Sequence, residues 1–310
     1  MTTISFYAQS LPKAPSGDYP DATTTFSLID RVKPRIEKVI IYFSSLHFGV
    51  DINGKKYLHL NDQDVNTLKP FLSQLNNFIC HYSSTQLEFR FMLGGAGGAY
   101  QALFSDFEAY YGLLRDFFLN NKFISGVDLD VEESLSNSSQ DSLQKIRKLI
   151  KRIHTDTHGF MERSRGFNIT LAPVASSLAN NGPGMGGFCY KDLLGTEEGE
   201  MISGLNVQVY GCFNKDTFRT MFNNNYPPKL ITIGMLGDEY TSVTEFLTAM
   251  SIVEDMPKIF KSVQGFILWE SGDTAIDPYQ WTRAVLRAID SSRNPPQKGL
   301  YTSLISLFGK

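Results

Sequence analysis

A chain of 310 residues, 42% of them hydrophobic, has ample material for a large core. Its formal net charge is only -3, and no run of Lys and Arg interleaves with aromatics, which excludes the electrostatic footprint of a nucleic-acid-binding protein. Three cysteines, Cys80, Cys189 and Cys212, match neither a disulfide framework nor a zinc site at such long spacings, so free thiols in or near the core are expected.

The chain opens on "MTTISFYAQS", which lacks the basic start and apolar run of a secretory signal, and nowhere do eighteen apolar residues stand together. No membrane contact is expected, and a monomer is. Compartment stays open between a cytosolic protein, an alternative export route and a secreted protein trimmed of its leader. Short β-branched and aromatic runs then recur: "ISFYA" (4 to 8), "KVIIYFS" (38 to 44), "EFRFML" (88 to 93), "ISGVDLDV" (124 to 131), "FNITLA" (167 to 172), "NVQVY" (206 to 210), "LITIGML" (230 to 236) and "GFILWE" (265 to 270).

Helical periodicity fills the gaps between these eight strands. Val65, Leu68, Leu72, Leu75 and Ile79 form one apolar stripe, and Phe107, Tyr110, Tyr111, Leu114, Phe117 and Phe118 form another. Further helices are expected over 141 to 154, 243 to 263 and 278 to 289. Eight βα units in about 290 residues predict a single (β/α)8 TIM barrel occupying residues 1 to 310. An open doubly wound sheet is the alternative, but "YAQSLPKAPSGD" stands where its glycine-rich dinucleotide loop belongs. The segments 179 to 188 and 292 to 299 read as a long loop and a tail turn, and "LYTSLISLFGK" as an amphipathic end packed on the barrel.

The fourth strand carries the chemistry. In "FISGVDLDVEES" Asp128, Asp130 and Glu132 share one strand face, and Val127, Leu129 and Val131 the other. In a barrel the aliphatic face seals against helices, so the acids line the interior and climb toward the C-terminal rim. Repulsion and desolvation raise the pKa of at least one, leaving a proton available near neutral pH. Such a proton suits cleavage of a glycosidic bond, with Glu132 as the donor and Asp130 sharing its proton. D-x-D-x-E also occurs on exposed strands and in cation-binding loops, but no second oxygen cluster completes a Mg or Ca shell here, and no metal site is expected.

The stretch "SGVDLDVEE" resembles the D-G-x-D-x-D-x-E signature of glycoside hydrolase family 18, the chitinases and their relatives, with Ser125 in place of the first Asp. "FMLGGAGG" resembles the family's S-x-G-G stretch, with Gly94, Gly95, Gly97 and Gly98 but no Ser. "NVQVYGCFN" is similar to the sixth-strand pattern, giving Gln208 and Tyr210, and "GFILWE" to the eighth strand, giving Trp269. The resemblance implies a retaining mechanism in which the substrate's own N-acetyl oxygen is the nucleophile. Glu132 is then the general acid and base, Asp130 orients the acetamido group, Asp128 tunes Asp130, Tyr210 donates to the acetamido oxygen, and Gln208, Trp269, Gly94 and Gly95 bind substrate. No cofactor is needed.

Each supporting residue also has a structural reading. Trp269 and Tyr210 serve equally as core aromatics, and the glycines as a tight turn. His154 and His158, four apart with no Glu between them, read as surface. The function expected is a chitinase acting on chitin or chitooligosaccharide. An endo-β-N-acetylglucosaminidase acting on N-linked glycans is the alternative within the enzyme class, and a non-catalytic chitooligosaccharide-binding lectin the alternative outside it.

Overall fold

All eight expected strands are present in the computed structural model, which describes residues 3–291 apart from 15–16, 18–19, 84, 159–165, 273 and 275. In chain order the strands are β1 (Thr3–Ala8), β2 (Lys38–Val50), β3 (Lys56–Leu60), β4 (Gln63–Asp64), β5 (Leu87–Gly94), β6 (Ile124–Asp130), β7 (Asn168–Leu171), β8 (Ile202–Gln208), β9 (Ile231–Leu236) and β10 (Gly265–Trp269). Eight pair in the order β1-β10-β9-β8-β7-β6-β5-β2, and a further parallel ladder from β2 to β1 closes the ring. The molecule is a (β/α)8 TIM barrel.

Two features depart from the expected pattern. β2 runs on to Val50 and turns back into β3, which pairs with it antiparallel, and β4 completes this small extension at the rim. Consequently the following helix begins at Lys69, and Val65 precedes it. The helix expected over 243 to 263 is divided into Val243–Asp255 and Pro257–Phe260. Pro257 has no N–H for the i−4 carbonyl, so the first helix ends before it and the second begins on it. Ser242 and Glu245 form a capping box at the first helix's start.

The main core lies between barrel and helices. Val127, Leu129 and Val131 are buried in it, together with the outward-facing residues of the other strands and the helix Phe107–Asn120. A smaller apolar cluster, Tyr7, Ile40, Tyr42, Met92 and Ile267, fills the barrel interior, and Trp269 packs on it. Cys189 is buried and Cys212 half-buried, whereas Cys80 follows the helix Lys69–Ile79 and is exposed, contrary to expectation. Residues 292–310, with the tail expected to pack on the barrel, lie outside the described residues, as does the side chain of His158. Among the described residues no helix is long and apolar enough to cross a membrane.

Candidate active site

The acidic strand has the predicted parity. Asp128 is fully buried, Asp130 is 3% exposed, and Glu132 is half-buried. β6 itself ends at Asp130, so Glu132 stands one step past the strand, on the rim segment. The three carboxyls thus form a gradient from dry interior to open cavity.

A carboxylate as deep as Asp128 is expensive unless its lone pairs are satisfied. Three donors from three strands do this. Tyr7 on β1 donates its hydroxyl at 2.6 Å, Thr170 on β7 at 2.5 Å, and Asn206 on β8 its amide at 3.0 Å. Burial raises the Asp128 pKa, opposed by the hydrogen bonds from Thr170 and Tyr7, the positive charge of Arg90, and the bond from Asn206.

Asp130 has less help. Gln208 Nε2 donates to its Oδ1 at 3.0 Å, but burial and the neighbouring charges of Glu132 and Asp128 push its pKa well above the usual carboxylate range. These effects favour the protonated form of Asp130, directly beneath Glu132. Gln208 Nε2 also lies 3.4 Å from Glu132 Oε1 and 3.1 Å from the carbonyl of Ala172. Every one of these partners is an acceptor, which fixes the orientation of the amide and lets it hold the two upper acids at a set height.

The glycines bring β5 against this stack. Gly94 has φ of +99°, and a Cβ there would stand 2.3 Å from the Asp130 carbonyl oxygen. Gly95 N–H donates to that oxygen at 2.8 Å, and a Cβ on Gly95 would lie 3.6 Å from Asp130 Oδ2. Bare backbone is thus required beside Asp130. Ser125, the position that departs from the family signature, donates its hydroxyl to the Phe89 carbonyl at 3.0 Å, where the β5–β6 register shifts between Phe89 and Phe91. It ties down the irregularity that precedes Asp128.

Above the stack is a cavity of about 320 Å³, lined among others by Asp130, Glu132, Gln208, Tyr210 and Trp269. This volume is at the small end for a site that encloses a ligand. Trp269 packs on Tyr7, ring centroids 4.8 Å apart and planes tilted by 60°, so it both touches the interior cluster and lines the cavity. Tyr210 stands on a turn beyond the end of β8, and burial together with the charges of Asp130 and Asp128 raises its pKa well above the phenol range, so it faces the site as a hydrogen-bond donor. Of the residues singled out in the sequence, Asp130, Glu132, Gln208, Tyr210, Trp269 and Gly95 meet at one cavity, with Gly94 and Asp128 immediately behind Asp130.

The whole molecule can be set beside known structures. A fungal endo-β-N-acetylglucosaminidase of glycosyl hydrolase family 18 superposes with a TM-score of 0.70 at 22% identity, covering 96% of this chain and all of that one. The fold is that of the family 18 glycoside hydrolases. A chitinase of Aspergillus fumigatus superposes with a TM-score of 0.66 at 23% identity, over 93% of this chain and all of that one. A human pseudo-chitinase with retained chitooligosaccharide binding does so at 0.59 and 11% identity, over 94% of this chain and all of that one. No protein-family model matches the sequence, and no curated protein matches it either.

Sequence reasoning missed Tyr7, Thr170 and Asn206. A signal existed for each: every one is a polar residue at the inward parity of an otherwise apolar strand. It also missed Gln9, Ser45 and Met92, which line the cavity from β1, β2 and β5 or the turns after them, and for which no motif speaks.

Proposed function

We propose that the chain is a retaining endo-glycosidase of the chitinase type, hydrolysing β-1,4 bonds of N-acetylglucosamine polymers by a substrate-assisted mechanism with Glu132 as general acid and base. The observation that carries this reading is the graded stack of Asp128, Asp130 and Glu132, with Glu132 and Asp130 both lining the cavity, Glu132 the more open, and Asp128 sealed behind them. In the first step the acetamido carbonyl oxygen of the substrate attacks C1, the glycosidic bond breaks, and the departing oxygen takes the Glu132 proton. Glu132, now a carboxylate, removes a proton from water as that water opens the oxazolinium ion.

Asp130 orients the acetamido group and stabilises the cationic intermediate, and Asp128 tunes Asp130 through its own charge. Tyr210 donates to the acetamido oxygen, Gln208 fixes the two upper acids, and Trp269 is the platform for the sugar ring. The chain keeps both acids at the rim, which favours an enzyme over a lectin that only binds chitooligosaccharide. The likeness to a fungal endo-β-N-acetylglucosaminidase supports a second reading, in which the same machinery acts on N-linked glycans.

A fluorogenic chitotrioside and a high-mannose glycoprotein, each incubated with wild type and Glu132→Gln, separate these readings. Cleavage of the chitotrioside, lost about 10²- to 10⁴-fold in the variant, is the expected result. Trimming of the glycoprotein alone moves the substrate to N-glycans. Equal inertness of both proteins, with chitooligosaccharide bound, overturns the enzyme reading.

A further inference from the structure

Beneath the site lies a buried ionic cluster that the proposed chemistry leaves unused. Arg90 on β5 donates to Glu88 Oε2 from Nε at 2.9 Å and from Nη2 at 2.5 Å, and Lys38 Nζ on β2 lies 2.6 Å from Glu88 Oε1. The Glu88 and Arg90 side chains are each 5% exposed. Glu88 is shared between two cations and neutralises Arg90 only in part, and incomplete neutralisation of a buried ion is costly unless a further charge offsets it.

Arg90 has such a charge within reach. Its Nη1 donates to the Tyr42 hydroxyl at 3.1 Å, and Tyr42 stands in register with Tyr7 across the β1–β2 pairing. The Tyr42 ring lies 5.1 Å from that of Tyr7, whose hydroxyl donates to Asp128 at 2.6 Å. A chain of contacts therefore runs from Lys38 through Glu88, Arg90, Tyr42 and Tyr7 to Asp128 at the base of the acidic strand.

We propose that Arg90 is a positioning residue for the acidic strand: its buried guanidinium, relayed by Tyr42, is the counter-charge that keeps Asp128 an anion beneath Asp130. The proposal rests on the reading that the acidic strand is catalytic. The other titratable groups facing Asp128 are Tyr7 from β1, Tyr42 from β2, Tyr100 from the helix after β5, Tyr190 and Tyr210 from the segments flanking β8, and Asp130 above. Burial raises the pKa of every one of these phenols, so near pH 7 they are neutral, and Asp130 can only repel. Arg90 is the cation that draws Asp128 toward its ionised form. An anionic Asp128 discourages a second charge on Asp130, so the proton stays on Asp130, below Glu132. Without Arg90, Asp128 takes up a proton at higher pH and Asp130 gives up its own.

The test compares wild type with Glu88→Gln/Arg90→Met, which removes the ion pair as a unit, with Arg90→Lys, which keeps the charge, and with Tyr42→Phe, which cuts the relay. The readouts are the pH profile of kcat/KM on a chitotrioside and the carbon-13 titration of the Asp128 carboxyl, assigned with Asp128→Asn. In the double variant the acid limb and the Asp128 midpoint move up by about one pH unit, a tenfold loss of activity on that limb. Tyr42→Phe moves both in the same direction by less, and Arg90→Lys leaves both in place. A folded double variant with both readouts unchanged overturns the proposal, as does an Arg90→Lys shift as large as that of the double variant. If the double variant does not fold, Tyr42→Phe decides: an unchanged Asp128 midpoint overturns the proposal. A wild type that cleaves no N-acetylglucosamine substrate sinks the functional reading, while the carboxyl titration still decides the role of Arg90.

Discussion

Asp128 and Asp130 are the same residue type two positions apart, yet their surroundings divide them. Asp128 receives three hydrogen bonds from three other strands across the barrel interior, whereas Asp130 receives one from Gln208 and stands between two other acids. The bare backbone of Gly94 is what allows β5 to lie against Asp130. Gly94→Ala therefore combines a left-handed backbone with a clash against the Asp130 carbonyl, and a loss of about 2–4 kcal/mol in urea unfolding is expected, with hydrolysis falling as Asp130 is displaced. A Gly94→Ala protein as stable and active as wild type would rule out that tight approach. The acids were legible because one strand carries all three at a spacing of two. Tyr7, Thr170 and Asn206 were not, because they lie on three different strands, and only the register around the barrel brings them to one carboxylate.

At the scale of elements, β6 does two jobs with its two faces: Val127 and Leu129 hold the strand to the helices, and the acids occupy the lumen. The irregular β5–β6 pairing at Ser125 and Gly126 sets which face Asp128 takes. A Cβ on Gly126 would stand 2.4 Å from the Asn168 carbonyl oxygen, so β7 approaches closely there. Ser125→Ala removes the hydroxyl bond to Phe89 and should lower stability by about 0.5–1.5 kcal/mol, with turnover per folded molecule little changed. A large loss of turnover at full stability would instead place Ser125 in the chemistry. All eight barrel strands were readable from apolar runs. The β3 and β4 extension was not, since "KKYLHLNDQD" is too polar and too short to stand out from a loop, and its pairing to the overlong β2 exists only in three dimensions. The break before Pro257 was readable from the proline itself, but the helical periodicity on both sides masked it.

For the whole molecule, storing raised-pKa carboxyls inside the barrel couples the site to stability. Asp130 titrates near 3.9 when unfolded and well above that when folded, so between these limits the native state binds more protons than the unfolded one. Its contribution is fully present below about pH 4 and is lost as pH rises through the folded pKa. The stability of wild type relative to Asp130→Asn should therefore decline by up to about 1.4 kcal/mol per pH unit across that window, as read from urea midpoints. A difference that is flat with pH, or that grows with it, contradicts the assignment of the stored proton to Asp130. Glu88 works in the opposite sense, since Arg90 and Lys38 outweigh its burial and lower its pKa, so its contribution is lost as pH falls. The comparison with Asp130→Asn cancels that background.

Substrate-assisted cleavage beside N-acetylglucosamine must retain the configuration of the bond that breaks. Proton NMR of the anomeric signals during cleavage of a chitooligosaccharide tests this directly, because the first product is seen before it mutarotates. The β-anomer appearing first, and vanishing with Glu132→Gln, is the predicted result. The α-anomer appearing first, or binding of the oligosaccharide without any cleavage, contradicts it.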